Sequence, residues 1–201
     1  LTATSGPGIS LYSENLGLAV MGEVPLVVVD VQRLGPATGG ATTVGQGDVQ
    51  FVRWGTSGGY PIIALAPSTV PECYHLTMKA FDLAERFRCP VFLVTDKELN
   101  MTMATVAVDD YHPAAVRQRE VAVEAGPPYR YTPAGEVPPM RLYGSGETVR
   151  FTGSSHDERA FITKSPAAVG ALNRHLAAKI DDHRAQIEMA SADLDPAADT
   201  L

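Results

Sequence analysis

Apolar positions in the first half of the chain fall into two alternating patterns. Leu26–Val31 is a valine-rich, largely apolar run behind Pro25, and Pro61–Ala66 and Val91–Thr95 repeat the signal. Such runs predict strands buried on both faces, as in a parallel sheet. Leu1–Thr4 reads as the end of another buried strand, and Ser5-Gly6-Pro7-Gly8 as a turn. Ser10–Met21 carries Leu11, Leu16, Leu18, Ala19 and Val20 at spacings that predict a one-sided helix. A second helix is expected from Ser68 or Thr69, either of which suits an N-cap, to about Arg88. Pro71 fits its first turn, Glu72 complements its dipole, and Pro90 stops it. Strands and helices joined by short connections predict right-handed βαβ crossovers, hence an α/β fold with an open, mostly parallel sheet flanked by helices.

The pattern then breaks. Pro113, Pro127-Pro128, Pro133 and Pro138-Pro139 interrupt regular structure. Residues 1–105 are therefore expected to form one domain portion. Residues 106–164 read as a Pro-rich connector, extended to about residue 150 over this domain or over a partner. The connector ends in a polar stretch, Phe151–Thr163, with a charged turn at His156-Asp157-Glu158-Arg159. A helix capped by Ser165 and opened by Pro166 is predicted through Ala185. The Ala/Asp-rich tail Met189–Leu201 is expected to fray, so 165–201 reads as helix and tail. There are no internal repeats. The start Leu1-Thr2-Ala3-Thr4 lacks a basic leader and suggests a chain that begins mid-domain.

Composition narrows the function classes. With 45% hydrophobic and 19% charged residues, the chain should be a packed globular protein. A net charge of -7 argues against nucleic-acid binding, which needs a basic face. No apolar run approaches the ~20 residues of a membrane span. The two cysteines, Cys73 and Cys89, form no C-x-x-C pair and no cluster with metal-ligand spacing. No metal ligands are expected here, and four thiolates for an iron–sulfur cluster are absent from this chain. Isolated cysteines suit a reducing, cytoplasmic location.

Two segments could carry chemistry. Thr4-Ser5-Gly6-Pro7-Gly8 lies between a strand end and a helix start. It reads equally as a plain tight turn, or as a place where glycines let a heterocycle or anion approach free backbone N–H groups. The long loop from Gln32 to Gly47 follows the carboxyl end of a buried strand, where open α/β sheets bind ligands.

Thr2-Ala3-Thr4-Ser5-Gly6-Pro7-Gly8, followed by a helix and Glu23-Val24-Pro25-Leu26-Val27-Val28-Val29, resembles the pyrimidine-binding domain of thiamine-diphosphate enzymes. The continuation Asp30-Val31-Gln32-Arg33-Leu34-Gly35-Pro36-Ala37-Thr38-Gly39 narrows this to the alpha subunit of 2-oxoacid:ferredoxin oxidoreductases, especially the 2-oxoglutarate type. Gly45-Gln46-Gly47-Asp48 and Thr152-Gly153-Ser154-Ser155-His156-Asp157-Glu158 are also similar to that subunit. The resemblance implies an oxidative decarboxylation: a 2-oxoacid is attacked by thiamine diphosphate, coenzyme A takes the acyl group, and electrons pass to ferredoxin. It also implies a hetero-oligomer, with a beta subunit that carries the diphosphate–magnesium site and an iron–sulfur cluster. Cofactor-binding residues implied here are Thr4, Ser5, Gly6, Pro7 and Gly8.

By the same resemblance, Arg33 holds the substrate carboxylate, which a guanidinium suits through paired hydrogen bonds. Read without it, Arg33 is a surface arginine paired with an acid. Thr38, Gly39 and Thr42 could line the same pocket, or belong to a flexible loop. Gly47-Asp48 is similar to a diphosphate motif, but Val49 follows and no Asn-Asn lies downstream, so that role is not expected. Glu14 lies downstream of the turn, unlike the family's activating glutamate, and reads as a helix-surface or interface residue. No catalytic residue is assigned to this chain. His156 and Asp157 read as an exposed structural pair, and His75, His112, His175 and His183 as surface or helix-face residues. Two alternatives remain: a non-redox thiamine enzyme of the acetolactate synthase or 2-oxoacid decarboxylase type, and a non-catalytic scaffold domain.

Overall fold

The computed structural model describes residues 1–57, 59–111, 117–131 and 133–190. The expected fraying from 191 onward, and the readings of Pro113 and His112, lie outside those residues. Four strands form one parallel sheet in the order β1-β2-β4-β3: β1 Thr2–Thr4, β2 Leu26–Gln32, β3 Ile63–Leu65 and β4 Pro90–Asp96. β2 and β4 pair along their whole length, from Leu26 opposite Pro90 to Gln32 opposite Asp96. The α/β fold with flanking helices is the one the valine-rich runs predict.

The two central strands, β2 and β4, have no exposed residue because helices cover both faces, whereas the edge strands expose Ala3 and Ala64. On one side Val27, Ile63, Val91 and Leu93 pack against Ala80, Leu83, Ala84 and Phe87 of α3 (Val70–Phe87). On the other, Val28, Phe92 and Val94 meet Ile9, Leu16 and Val52. Leu16 lies in α1 (Ser13–Met21) and Val52 in α2 (Val49–Trp54). The expected helix from Ser10 is in fact two elements. A 3-10 helix, Gly6–Tyr12, precedes α1, so Leu11 and Leu18 are exposed while Leu16, Ala19 and Val20 are buried. The tighter winding follows directly from the Gly-Pro-Gly turn.

Thr69 caps α3: its hydroxyl accepts from the Glu72 N–H at 3.3 Å, and Glu72 in turn accepts from the Ser68 N–H at 2.6 Å. α3 ends at Arg88 in a left-handed conformation, φ 46°. Two short helices escape the sequence pattern, α2 and α4 (Lys97–Met101). Asp96 caps α4 by accepting from the Leu99 N–H at 2.9 Å.

The proline-rich connector lies over this domain. Arg117 and Arg119 reach Asp82 and Glu85 on α3, the latter through two hydrogen bonds. Tyr129 is fully buried, its hydroxyl donating to the Gly22 carbonyl at 3.4 Å. His156 is also fully buried, which corrects the expectation of an exposed pair. Its ring nitrogens sit 3.0 Å from the Met21 carbonyl and 2.9 Å from the Tyr131 hydroxyl. Nδ1 also lies 2.8 Å from the Asp157 carbonyl, so both ring nitrogens are engaged.

The last helices are α5 (Pro166–Asp181) and α6 (Arg184–Ile187). Ser165 occupies the N-cap position of α5, but its side chain makes no capping bond. α5 is anchored by charge. Glu23, His175, Lys179 and Arg88 are all buried. Glu23 Oε2 accepts from Lys179 at 3.1 Å and lies 3.0 Å from His175 Nε2. Arg88 donates to the carbonyls of Glu23 and Pro138. His175 is therefore a core residue rather than a helix-face one. Burial opposes the Glu23 charge, but Lys179, His175 and Arg88 outweigh it and hold the carboxyl well below its usual range.

Candidate functional site

The candidate site forms at the carboxyl ends of β1 and β2. Thr4 pairs with Asp30 across the sheet, so the turn after β1 and the loop after β2 start side by side. Ser5 leads the turn in an extended conformation, and its carbonyl accepts from the Gly8 N–H at 3.3 Å. Gly6 sits at φ +57°, and its N–H donates to Asp48 Oδ2 at 3.1 Å. Pro7 is exposed, and its carbonyl accepts from the Ser10 hydroxyl at 2.6 Å.

Arg33 packs directly onto Gly6. A Cβ added at Gly6 would lie 2.8 Å from Arg33 Cζ and 2.9 Å from Cδ. One at Gly8 would collide with the Thr4 hydroxyl. Glycine is thus needed at Gly6 both for its backbone angle and for the guanidinium lying across it. Arg33 is half-buried, and its Nε is buried with no hydrogen-bond partner among the described residues. No salt bridge joins it to a described acid. The surface pairing open to an arginine here is not formed.

The Gln32–Gly47 loop is compact. Leu34 N–H donates to Thr43 O, Gly40 N–H to Leu34 O, and Gly47 N–H to Arg33 O. Gly39 has φ +56°, and a Cβ there would run into the Leu34 backbone. Gly45 and Gly47 also face the backbone of Arg33 to Gly35, where a Cβ would lie 2.7 and 2.8 Å from the nearest atoms. The loop is glycine-rich because it folds back on itself beside Arg33. Thr38, Gly39 and Thr42 are exposed at its outer end, and no described hydrogen bond ties them to Arg33 or to the turn. Glu14 is exposed on α1, and His75 is exposed on α3. Among the described residues no group of three His, Cys, Asp or Glu side chains is placed to hold a metal ion. No described helix is long and apolar enough to cross a membrane.

Two residues enter the site that sequence reasoning passed over. Asp48, which in the sequence shows only a likeness to a diphosphate motif, is nearly buried and accepts from the Gly6 N–H. Asp30 is wholly buried, with neither carboxyl oxygen partnered among the described residues. Burial, then the charge of Asp48, pushes its carboxyl up to about 7. The available signal was an aspartate inside a valine run.

Residues 1–174 match the family described as "Pyruvate flavodoxin/ferredoxin oxidoreductase, thiamine diP-bdg". The chain belongs to this family. Among curated members of the oxidoreductase group it is 41% identical over 187 residues to the 2-oxoglutarate synthase subunit KorA of Methanocaldococcus jannaschii, covering 93% of this chain and 50% of that protein. It is 42% identical over 192 residues to the KorA subunit of Methanothermobacter marburgensis, with the same coverage. Among solved structures it resembles a 2-oxoglutarate:ferredoxin oxidoreductase from Magnetococcus marinus with 2-oxoglutarate, coenzyme A and succinyl-CoA bound. The TM-score is 0.77 at 30% identity, over 94% of this chain and 33% of that one. The chain spans about half the length of the curated relatives it matches.

The site's geometry carries a prediction. Gly6→Ala puts a methyl group where Arg33 lies and forces a left-handed backbone on alanine, at a cost of about 1–2 kcal/mol. Gly17→Ala, in the interior of α1 with nothing within 4 Å, is the control. It should gain about 0.5–1 kcal/mol. Urea denaturation of the two variants should move in opposite directions.

Proposed function

We propose that this chain is the pyrimidine-binding part of the alpha subunit of a thiamine-diphosphate-dependent 2-oxoacid:ferredoxin oxidoreductase, acting on 2-oxoglutarate. What carries the reading is Arg33, held across the Gly6 turn at the carboxyl end of β2 without an acidic partner among the described residues. An unpaired, half-buried guanidinium at a strand end suits a substrate carboxylate through paired hydrogen bonds. The relatives, named 2-oxoglutarate synthase and 2-oxoglutarate:ferredoxin oxidoreductase, support 2-oxoglutarate as the substrate.

Thr4, Ser5, Gly6, Pro7 and Gly8 fit the pyrimidine end of thiamine diphosphate. Arg33 and the Thr4 hydroxyl cover the side-chain positions of Gly6 and Gly8, so the ring would meet the turn from its exposed side. When bound, the cofactor supplies the carbanion chemistry that decarboxylation of a 2-oxoacid requires. This chain's part is to orient: Arg33 fixes the carboxylate, and the folded loop with Thr38 and Gly39 walls the pocket. The diphosphate, magnesium and an iron–sulfur cluster are assigned to a beta subunit, with coenzyme A and ferredoxin as co-substrates and the cytoplasm as the compartment.

Gel filtration of the complete subunit with its beta partner, with iron analysis and an assay of 2-oxoacid-dependent dye reduction, tests this. The reading predicts an iron-containing hetero-oligomer that reduces the dye only with 2-oxoacid and coenzyme A. Carbon dioxide release without dye reduction would favour a non-redox thiamine enzyme, and assembly without either activity a scaffold.

A further inference from the structure

Asp48 stands at the N-cap position of α2, where an aspartate ordinarily accepts from the first N–H groups of its own helix. This one does not. Its side chain makes no capping bond, and Oδ2 instead accepts from the Gly6 N–H at 3.1 Å, 42 positions earlier in the chain. The contact is buried. A six-residue helix, too short to be stable alone, thus forgoes its own cap to hold a turn in another element. Helix stability does not explain that choice.

The residue before it reaches the same place. Gly47 N–H donates to the Arg33 carbonyl at 3.2 Å, and a Cβ on Gly47 would lie 2.8 Å from that oxygen. Two adjacent residues therefore grip Arg33 at both ends. Gly47 holds its backbone, and Asp48 holds the turn on which its side chain rests. Among the described residues the side chain has little else to fix it. Its Nε is buried without a partner, and it forms no salt bridge with them. The turn leans on Asp48 in the same way. The Gly8 N–H bond to Ser5 O and the Ser10 hydroxyl bond to Pro7 O stay within the segment, whereas the Asp48 bond fastens it to the returning loop.

We propose that Asp48 is a positioning residue for Arg33: its carboxyl fixes the Gly6 turn, and the turn sets where the guanidinium lies. The kinetic consequence rests on the reading of Arg33 as the carboxylate site. Reach is what the geometry demands of residue 48. An amide oxygen at the same distance can take the Gly6 N–H, whereas a longer side chain displaces the turn. Ser13 supplies the comparison. Its hydroxyl donates to the Gly55 carbonyl at 2.5 Å and ties the far end of α2 to the start of α1. Losing that bond loosens α2 but leaves the Gly6 amide on Asp48.

The test uses the complete, assembled oxidoreductase and two readouts. The first is steady-state kinetics with the 2-oxoacid. Asp48→Ala should raise KM by about 10- to 100-fold, the scale on which a small misplacement of a binding group is felt, with kcat little changed. Asp48→Asn should keep KM near the wild-type value. Asp48→Glu, the variant to use if alanine prevents assembly, should raise it again. Ser13→Ala should leave KM unchanged, and in an Arg33→Ala background Asp48→Ala should add nothing. A wild-type KM in Asp48→Ala or Asp48→Glu, an equal rise in Ser13→Ala, or a full Asp48 effect in enzyme already lacking Arg33 overturns the proposal. The second readout is amide hydrogen exchange across Thr4–Gly8 without substrate, which should speed up in Asp48→Ala and not in Asp48→Asn. Unchanged exchange in Asp48→Ala overturns the hold on the turn whatever the kinetics. Faster exchange, together with an unaltered KM in Arg33→Ala itself, sinks the carboxylate reading of Arg33 and leaves the hold of Asp48 on the turn standing.

Discussion

Glu23→Ala is expected to destabilise the folded chain by about 3–5 kcal/mol, the cost typical of stripping one partner from a buried ion pair. Glu23 and His175 are fully buried and Lys179 nearly so. Both ring nitrogens of His175 are engaged, with Glu23 Oε2 at 3.0 Å and the Ala134 carbonyl at 2.8 Å. Removing the carboxylate strands the buried Lys179 and Arg88 charges without an anion and leaves His175 Nε2 without its partner. The bonds also tie α5, more than a hundred residues away in sequence, to the turn before β2. Urea denaturation should show a lower midpoint with an unchanged slope; an intact midpoint would mean the cluster holds nothing. The pH dependence has a definite sign. Glu23 is held below its ordinary value, so its contribution is complete above about pH 4.3 and is lost as pH falls through the folded-state value. Glu23→Gln should therefore lose less stability on acidification than the wild type does.

In the assembled oxidoreductase, Arg33→Ala should lower kcat/KM for 2-oxoglutarate by about 30- to 1000-fold, the range for losing a charge-assisted, two-pronged contact of ~2–4 kcal/mol. Most of the change should fall on KM, because a carboxylate clamp binds the ground state and the transition state alike. Arg33→Lys keeps the charge but loses the planar fork, and should recover only part of the loss. The fold should be largely unaffected, since Arg33 is only half-buried and makes no salt bridge with the described residues. Steady-state kinetics alongside circular dichroism separate the two effects.

The sheet was legible in the sequence because parallel strands covered on both faces need apolar residues at every position. Leu26–Val31 and Val91–Thr95 show that need directly, and each lies within one residue of the observed strand at either end. α3 was legible from Thr69, Pro71 and Glu72, whose capping roles are local. The charged core was not. Glu23 and His175 meet across 152 positions, and nothing in either neighbourhood announces the other. A signal did exist in α5: Leu172, His175, Leu176, Lys179 and Ile180 form one helical stripe, all buried, so two ionisable residues stood on the apolar face. The 3-10 winding of Gly6–Tyr12 and the six-residue α2 were hidden because short helices carry too few turns to show a period.

At the site, physical pattern marked the Gly-Pro-Gly turn and the loop after β2, and the family resemblance singled out Arg33. That the two meet at Gly6 is a tertiary fact. So is the placement of Asp48 on the Gly6 amide, since a loop that returns through five glycines cannot be traced from spacing alone.

The most direct measurement is a structure of the assembled complex with thiamine diphosphate and 2-oxoglutarate bound. The account predicts a substrate carboxylate within about 3 Å of the Arg33 guanidinium, with the pyrimidine ring resting against the Gly6 to Gly8 turn. A 2-oxoglutarate whose carboxylates are both held by the partner subunit, with Arg33 turned to solvent, would contradict it.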